Sequence, residues 1–210
     1  MKLNLPKIIS VFPLSGIIFF PKTNLPLNIF EPRYLTLVND CIKSHKYMGM
    51  IQAKKDSSNV YSIGCLGKIS EYKKIKDGRM LINLTGITRF EIKSEINSDK
   101  IYREFEVSYE KFSEDLKKEE KQIPIDEKIE AIFQKTKVFF KKNGLLLNWN
   151  EFEKLDQNQK INTLAMIAPI SNEEKQTILE SVHINSKTKA LSEIIEFYLH
   201  EKSLSNITLQ

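Results

Sequence analysis

Cysteine, histidine and glycine are scarce in this 210-residue chain, and no apolar run is long; each shortage removes a class of function. Two cysteines, Cys41 and Cys65, make no disulfide framework, and three scattered histidines (His45, His183 and His200) give no metal-ligand spacing. Both cysteines sit among apolar neighbours, as small core residues do, and a reducing, cytoplasmic setting fits them. The seven glycines are dispersed. Neither G-x-x-x-x-G-K-[ST] nor G-x-G-x-x-G occurs, so no glycine-rich cradle for a phosphate is expected. The serine elbow G-x-S-x-G is absent as well. Gly64 and Gly67 are only a pair of glycines in a strand, where a bulge or a close backbone approach is the usual cause.

The apolar stretch Ile8–Phe20 behind Lys2 and Lys7 has the outline of a secretory signal. Pro6, Pro13 and Ser15-Gly16 interrupt it, and no small-residue cleavage site follows. Nothing reaches the roughly 20 apolar residues that a membrane-spanning helix needs. Lone carboxylates such as Glu31, Asp40 and Asp77 default to capping, turns or solvation, and no serine–lysine pair is singled out. The expectation is a soluble, non-catalytic chain with no cofactor, no metal and no membrane partner.

What is present suits a folded protein: 41% hydrophobic and 28% charged residues. The formal charge of +5 is uneven, with residues 1–112 at +7 and residues 113–210 at −2. All four arginines (Arg33, Arg79, Arg89 and Arg103) fall in the first part, which permits an anionic partner there.

The first part reads as β. Short apolar runs punctuated by Pro and Gly are expected strands: Ile8–Phe12, Ile17–Phe19, Leu25–Ile29, Tyr47–Gln52, Val60–Ile75, Arg79–Thr85, Ile87–Ile96 and Ile101–Tyr109. Lys76-Asp77-Gly78-Arg79 is a hairpin signal of type I′. One helix interrupts, opening at Pro32 and carrying Leu35, Val38 and Ile42 on one face. Seven of the eight residues 114–121 are charged and Pro124 follows, so 113–125 reads as a solvated linker.

Residues 126–210 read as helices. Ile129, Ile132, Phe133, Thr136, Phe139 and Phe140 form a stripe ended by Asn143-Gly144. Ile161, Leu164, Ala165 and Ala168 form a second, stopped by Pro169. Ser171 and Glu174 make a capping box for a helix to about Val182. Leu191, Ile194, Ile195, Tyr198 and Leu199 stripe the last.

Several stretches resemble the Lon substrate-binding family. Phe12-Pro13-Leu14, then Leu25-Pro26-Leu27-Asn28-Ile29-Phe30-Glu31-Pro32-Arg33-Tyr34, are similar to its opening F-P-L and its L-P-L-x-I-F-E-x-R-Y motif. Ile63–Ile69 resembles its G-x-x-A-x-I strand, with Gly67 standing where Ala is usual. Gly86–Ile92 resembles its G-x-x-R-F-x-I segment, and Glu174–Glu180 its E-K-Q-x-L-L-E helix. This domain occurs at the N-terminus of Lon proteases, in cereblon-like proteins, and alone in many bacteria. The resemblance implies an α+β fold: a PUA-like β pseudo-barrel with one inserted helix (1–112), then a C-terminal helical bundle (126–210). It implies a module or adaptor in protein quality control that recognises exposed or unfolded polypeptide, partnered by a protease or chaperone. No Walker motif is present, and 210 residues leave no room for a proteolytic domain.

Candidate residues follow from both readings. Glu31, Arg33 and Tyr34 are the sharpest set, since Arg33 suits a two-pronged bond to a carboxylate. They equally suit a strand-to-helix junction in which Glu31 caps the helix, Arg33 ties it to the sheet and Tyr34 fills the core. Arg89 and Phe90 read as a cross-strand ion pair and a core ring. Phe19, Phe20, Met48 and Met50 are the candidates for an apolar, deformable polypeptide-binding surface, unless helix and sheet cover both faces of their strands. RNA binding through the basic β half is the alternative, with Tyr72-Lys73-Lys74 and Lys76 as its best cluster.

Overall fold

The computed structural model describes residues 4–55, 57–117 and 127–205. By internal contacts the chain divides into two compact units, Met1–Lys117 and Lys118–Gln210.

The first unit is a mixed sheet rolled into a pseudo-barrel. Its elements are β1 (Ile8–Leu14), β2 (Asn24–Ile29), α1 (Pro32–Lys43), β3 (Tyr47–Gln52), β4 (Ile63–Lys74), β5 (Met80–Ile96) and β6 (Arg103–Ser108). The strand order is β2-β5-β4-β3-β1-β6, and β6 also pairs with β5, closing a ring. Closure works because β5 is 17 residues long. Its first half pairs with β2, and its second half turns to β6. β1 and β3 run parallel, and α1 lies in the connection between them, as a parallel pair requires. Among the described residues β2 pairs only with β5, and Pro26, which lacks an N–H, suits such an edge.

Alternating residues fill the ring: Ile9, Val11, Tyr47, Ile51, Leu66, Phe90, Phe105 and Val107. Gly49 is needed here, because a Cβ would sit 2.8 Å from Ile9 Cδ1 and 3.0 Å from Val11 Cγ2. The opposite side of β3 is covered too. α1 packs against β1 and β3. A Cβ on Gly67, the β3-facing partner of Met48, would lie 2.9 Å from the Phe19 ring. Glycine at that position makes room for Phe19.

Several expectations change. Ile17–Phe20 is not a strand but an irregular segment, and it still buries Ile18, Phe19 and Phe20. The two runs expected on either side of Gly86 are one strand, bulged at Ile87. The hairpin uses a three-residue loop closed by Ile75 and Arg79, with Gly78 at φ +91°, rather than a two-residue turn. α1 buries Tyr34, Leu37, Val38 and Cys41, so Leu35 and Ile42 flank the buried face instead of forming it.

The largest change is at the expected linker. Residues 110–116 form a 3-10 helix that packs on β5, and the first unit runs on to Lys117. Asp115 accepts from Arg89 Nε (2.8 Å), Nη2 (2.8 Å) and backbone N (3.0 Å). The side chains of Arg89 and Asp115 are only 2% and 8% exposed. Arg89 also stacks over the Phe112 ring at 4.2 Å. A run of charges therefore hides one buried carboxylate among solvated ones. Residues 118–125 and the Ile129 side chain lie outside the described residues.

The second unit holds α2 (Glu127–Lys142), α3 (Trp149–Glu153), α4 (Gln157–Ile167), α5 (Asn172–Glu180) and α6 (Ile184–Ser205). α6 contacts α2, α4 and α5. Gly144, at φ +67°, ends α2 as expected. The Ser171/Glu174 capping box opens α5, and a second box, Asp156/Gln159, opens α4. α3, a single turn too short to show a period, packs Phe152 edge-on to Phe133, with ring centroids 5.7 Å apart.

Breaking the Arg89–Asp115 pair on one side leaves a buried charge unpaired. Asp115→Ala is expected to destabilise the fold by about 3–5 kcal/mol in chemical denaturation. Amide exchange should accelerate first in residues 110–117. Both thiols are buried, and burial pushes Cys41 up to about 12. Because the thiolate is the reactive form, neither thiol should label with a disulfide reagent in the native protein at pH 8, and both should label in denaturant.

Candidate binding surfaces

The β2–α1 junction is built by a short strand that ends just as a helix begins. Along β2, Leu25 and Ile29 point inward, so alternation turns the next side chain, Phe30, outward; it is 65% exposed. Glu31 holds the N-cap position in extended conformation, and Pro32 occupies the first helical turn. The Glu31 carbonyl accepts from the Tyr34 and Leu35 amides. Its carboxylate caps nothing. It accepts instead from Arg33 Nε (3.0 Å) and Nη2 (2.8 Å), a two-pronged pair with Arg33 and Glu31 side chains 55% and 43% exposed.

Arg33 does not tie the helix to the sheet by an ion pair. Its guanidinium lies 4.6 Å from the Tyr34 ring centroid, and Tyr34 stacks on Phe12 of β1 at 4.0 Å. Tyr34 is buried, which raises its phenol pKa above the usual value; Arg33 opposes the shift. The contact to the sheet is therefore aromatic, with the Arg33 guanidinium stacked on it.

Other candidate residues fall elsewhere. Phe90 is in the ring core, and the partner of Arg89 is Asp115 rather than a residue on a neighbouring strand. Phe19, Phe20, Met48 and Met50 are all buried, so the surface expected of them does not exist. Ring packing on one side of β3, with α1 and the Ile18–Phe20 segment on the other, uses up that apolar area. The Tyr72-Lys73-Lys74 arm is exposed at the tip of the β4–β5 hairpin, as a basic cluster must be to bind nucleic acid.

Sequence reasoning passed over Phe30, though β2 alternation points to it. It also passed over Leu146, fully exposed in the turn after α2, and Phe197, 56% exposed on α6. Among the described residues, no group of three or more His, Cys, Asp or Glu side chains could hold a metal ion, and no helix is long and apolar enough to cross a membrane.

Ring, inserted helix and trailing helices recur in known proteins. A family described as the ATP-dependent protease La (LON) substrate-binding domain matches residues 8–196. The chain belongs to the Lon substrate-binding domain family. Lon protease 1 of Hydrogenovibrio crunogenus is 23% identical over 192 residues, 89% of this chain and 23% of that protein. The Lon protease of Flavobacterium johnsoniae is 28% identical over 105 residues, 47% of this chain and 13% of that protein. The chain thus spans less than a quarter of these relatives. Among solved structures, a Lon N-terminal domain protein from Xanthomonas campestris superposes with a TM-score of 0.65 at 19% identity, covering 88% of this chain and 96% of that one. The N-terminal domain of Mycobacterium avium complex Lon protease gives 0.66 at 15% identity, covering 90% and 98%. Those two likenesses establish the Lon N-domain fold.

The junction separates its structural from its surface residues. Tyr34→Ala should cost about 3 kcal/mol through the lost ring stack. Arg33→Ala should cost less than about 1 kcal/mol, because its ion pair is exposed. Thermal unfolding of both variants checks the contrast.

Proposed function

We propose that this chain is a non-catalytic binding module for exposed or unfolded segments of other polypeptides, working in the cytoplasm alongside a protease or chaperone. The observation that carries the reading is the family match over residues 8–196, to a domain described as substrate-binding. The β2–α1 junction supports it physically. An exposed aromatic residue next in sequence to a paired acid and base offers both an apolar anchor and polar groups for a peptide backbone. Phe30 replaces the buried Phe19, Phe20, Met48 and Met50 as the apolar contact in this reading.

RNA binding is the second reading, favoured by the exposed arm of Tyr72, Lys73 and Lys74. The two readings differ in salt dependence, since phosphate contacts release counterions and apolar contacts do not. Fluorescence titration of a reduced, carboxymethylated model protein and of a short single-stranded RNA, each at two salt concentrations, separates them. Binding of the unfolded protein with little salt dependence is the expected result. Phe30→Ser should weaken it about tenfold, the worth of roughly 1.4 kcal/mol of lost apolar burial, without lowering the melting temperature. Binding of RNA alone, falling steeply with salt, would overturn the proposal.

A further inference from the structure

The first unit carries a cleft of about 640 Å³ whose lining includes none of the junction residues Phe30, Glu31, Arg33 and Tyr34. One wall is the turn from α1 into β3, which supplies Ser44, His45 and Lys46; the other is the middle of the β4–β5 ladder. The volume lies in the range of small-ligand sites.

Two β-bulges shape the sheet wall. Leu66 pairs with Thr88 and Gly67 with Gly86, which leaves Ile87 as the extra residue of β5. Ile69 pairs with Leu84 and Glu71 with Asn83, which leaves Ser70 as the extra residue of β4. Both extra residues line the cleft, and the paired Lys68 and Thr85 stand between them. Bulges re-aim side chains and recur beside functional sites. Here two of them, one on each strand, serve a single cavity.

The chemistry of the lining is one-sided. It has two ammonium groups, an imidazole, three hydroxyls and two isoleucines, and no carboxylate. Neither Lys46 nor Lys68 is in an ion pair among the described residues. His45 Nδ1 accepts the Tyr47 amide at 3.0 Å, so the ring's remaining proton is on Nε2, a donor. The imidazole is held below its usual pKa by burial, which favours this neutral form. The end of α1 would bring negative partial charge. Two of its last carbonyls are already taken: Cys41 O accepts from the Ser44 and Lys46 amides, and Asp40 O accepts from Ser44 Oγ.

Lys46 itself is costly where it stands. Its φ is +63°, a left-handed conformation in which glycine is the unstrained choice. Its amide is held by Cys41 O and its carbonyl by Ile69 N, so the backbone is fixed from both sides. A side chain kept at a position suited to glycine points to a use for that side chain.

We infer that this cleft is a subsite for a carboxylate-bearing peptide segment, an acidic side chain or chain end with apolar neighbours, held by Lys46, Lys68 and His45. The inference rests on the reading of the chain as a polypeptide binder and adds to it a preference for acidic segments at a second place on the same unit.

Two fluorescein-labelled peptides of equal apolar content, one with two Glu and its twin with two Gln, test it on the full chain. The wild type should prefer the acidic peptide by about tenfold at low salt, the preference shrinking as salt rises. Lys46→Gly combined with Lys68→Gln should abolish the preference and leave binding of the Gln twin unchanged. Lys46→Gly relieves the left-handed strain, so a purely structural Lys46 predicts an unaltered preference and an equal or higher melting temperature. Equal affinity for the twins, or a preference surviving in the double variant, overturns the subsite and leaves polypeptide binding standing if the carboxymethylated model protein still binds. Displacement of the acidic peptide by a short RNA, itself lost in the double variant, overturns the choice of polypeptide. No binding of either peptide or of the model protein overturns both readings.

Discussion

The buried Arg89–Asp115 pair is the constraint around which the first unit is organised. Arg89 stands in the second half of β5, where that strand leaves β2 and takes up β6 to close the ring. A guanidinium in that position must be neutralised and fully hydrogen-bonded, because an unpaired buried charge is too costly to keep. Asp115 meets the demand with contacts to the side chain and to the Arg89 amide, while Phe112 covers the guanidinium face. The chain beyond β6 is thereby held against the barrel as a 3-10 helix.

A closed ring with a helix on its outer side leaves few strands with a free face. Apolar residues that would be sticky on an open sheet, Met48, Met50, Phe19 and Phe20 among them, are consumed as packing. The surface available for recognition moves to the ends of elements and to irregularities within them. Phe30 is exposed because β2 ends on its last inward side chain, Ile29, and Glu31 and Arg33 pair with each other because the helix start is already satisfied through the backbone and Pro32.

The long β4–β5 hairpin shows the same logic. Two strands of 12 and 17 residues bent around a barrel cannot keep a regular ladder throughout, and the strain is released at Ile87 and Ser70. Each bulge re-aims a side chain, and the turn after α1 places a strained lysine opposite them. Curvature needed by the fold thus shapes a polar cleft on the outside of an apolar ring.

Local, periodic features were legible from the residues alone. The β-then-helix layout followed from the short punctuated runs before residue 112 and the 3.6-residue stripes after 126; Pro32 marked the start of α1, Gly144 the end of α2, and Ser171 with Glu174 the start of α5. The ordered motifs from Phe12 to Glu180 carried the family. What depended on distant partners was not legible. Asp115 looked like one more solvated charge, since nothing nearby in sequence announces a guanidinium 26 residues away. Met48 and Met50 could be given a strand but not a covering layer, because α1 and the Ile18–Phe20 segment reach them only once the ring has closed. The cleft needed Lys46 and Lys68 to meet across two strands and a turn. By itself the sequence determined most of the strands and helices, those long enough to show a period or bounded by a clear cap, and which family they compose. Only the tertiary structure decided which side chains remain exposed, because burial depends on what the rest of the chain brings to each face.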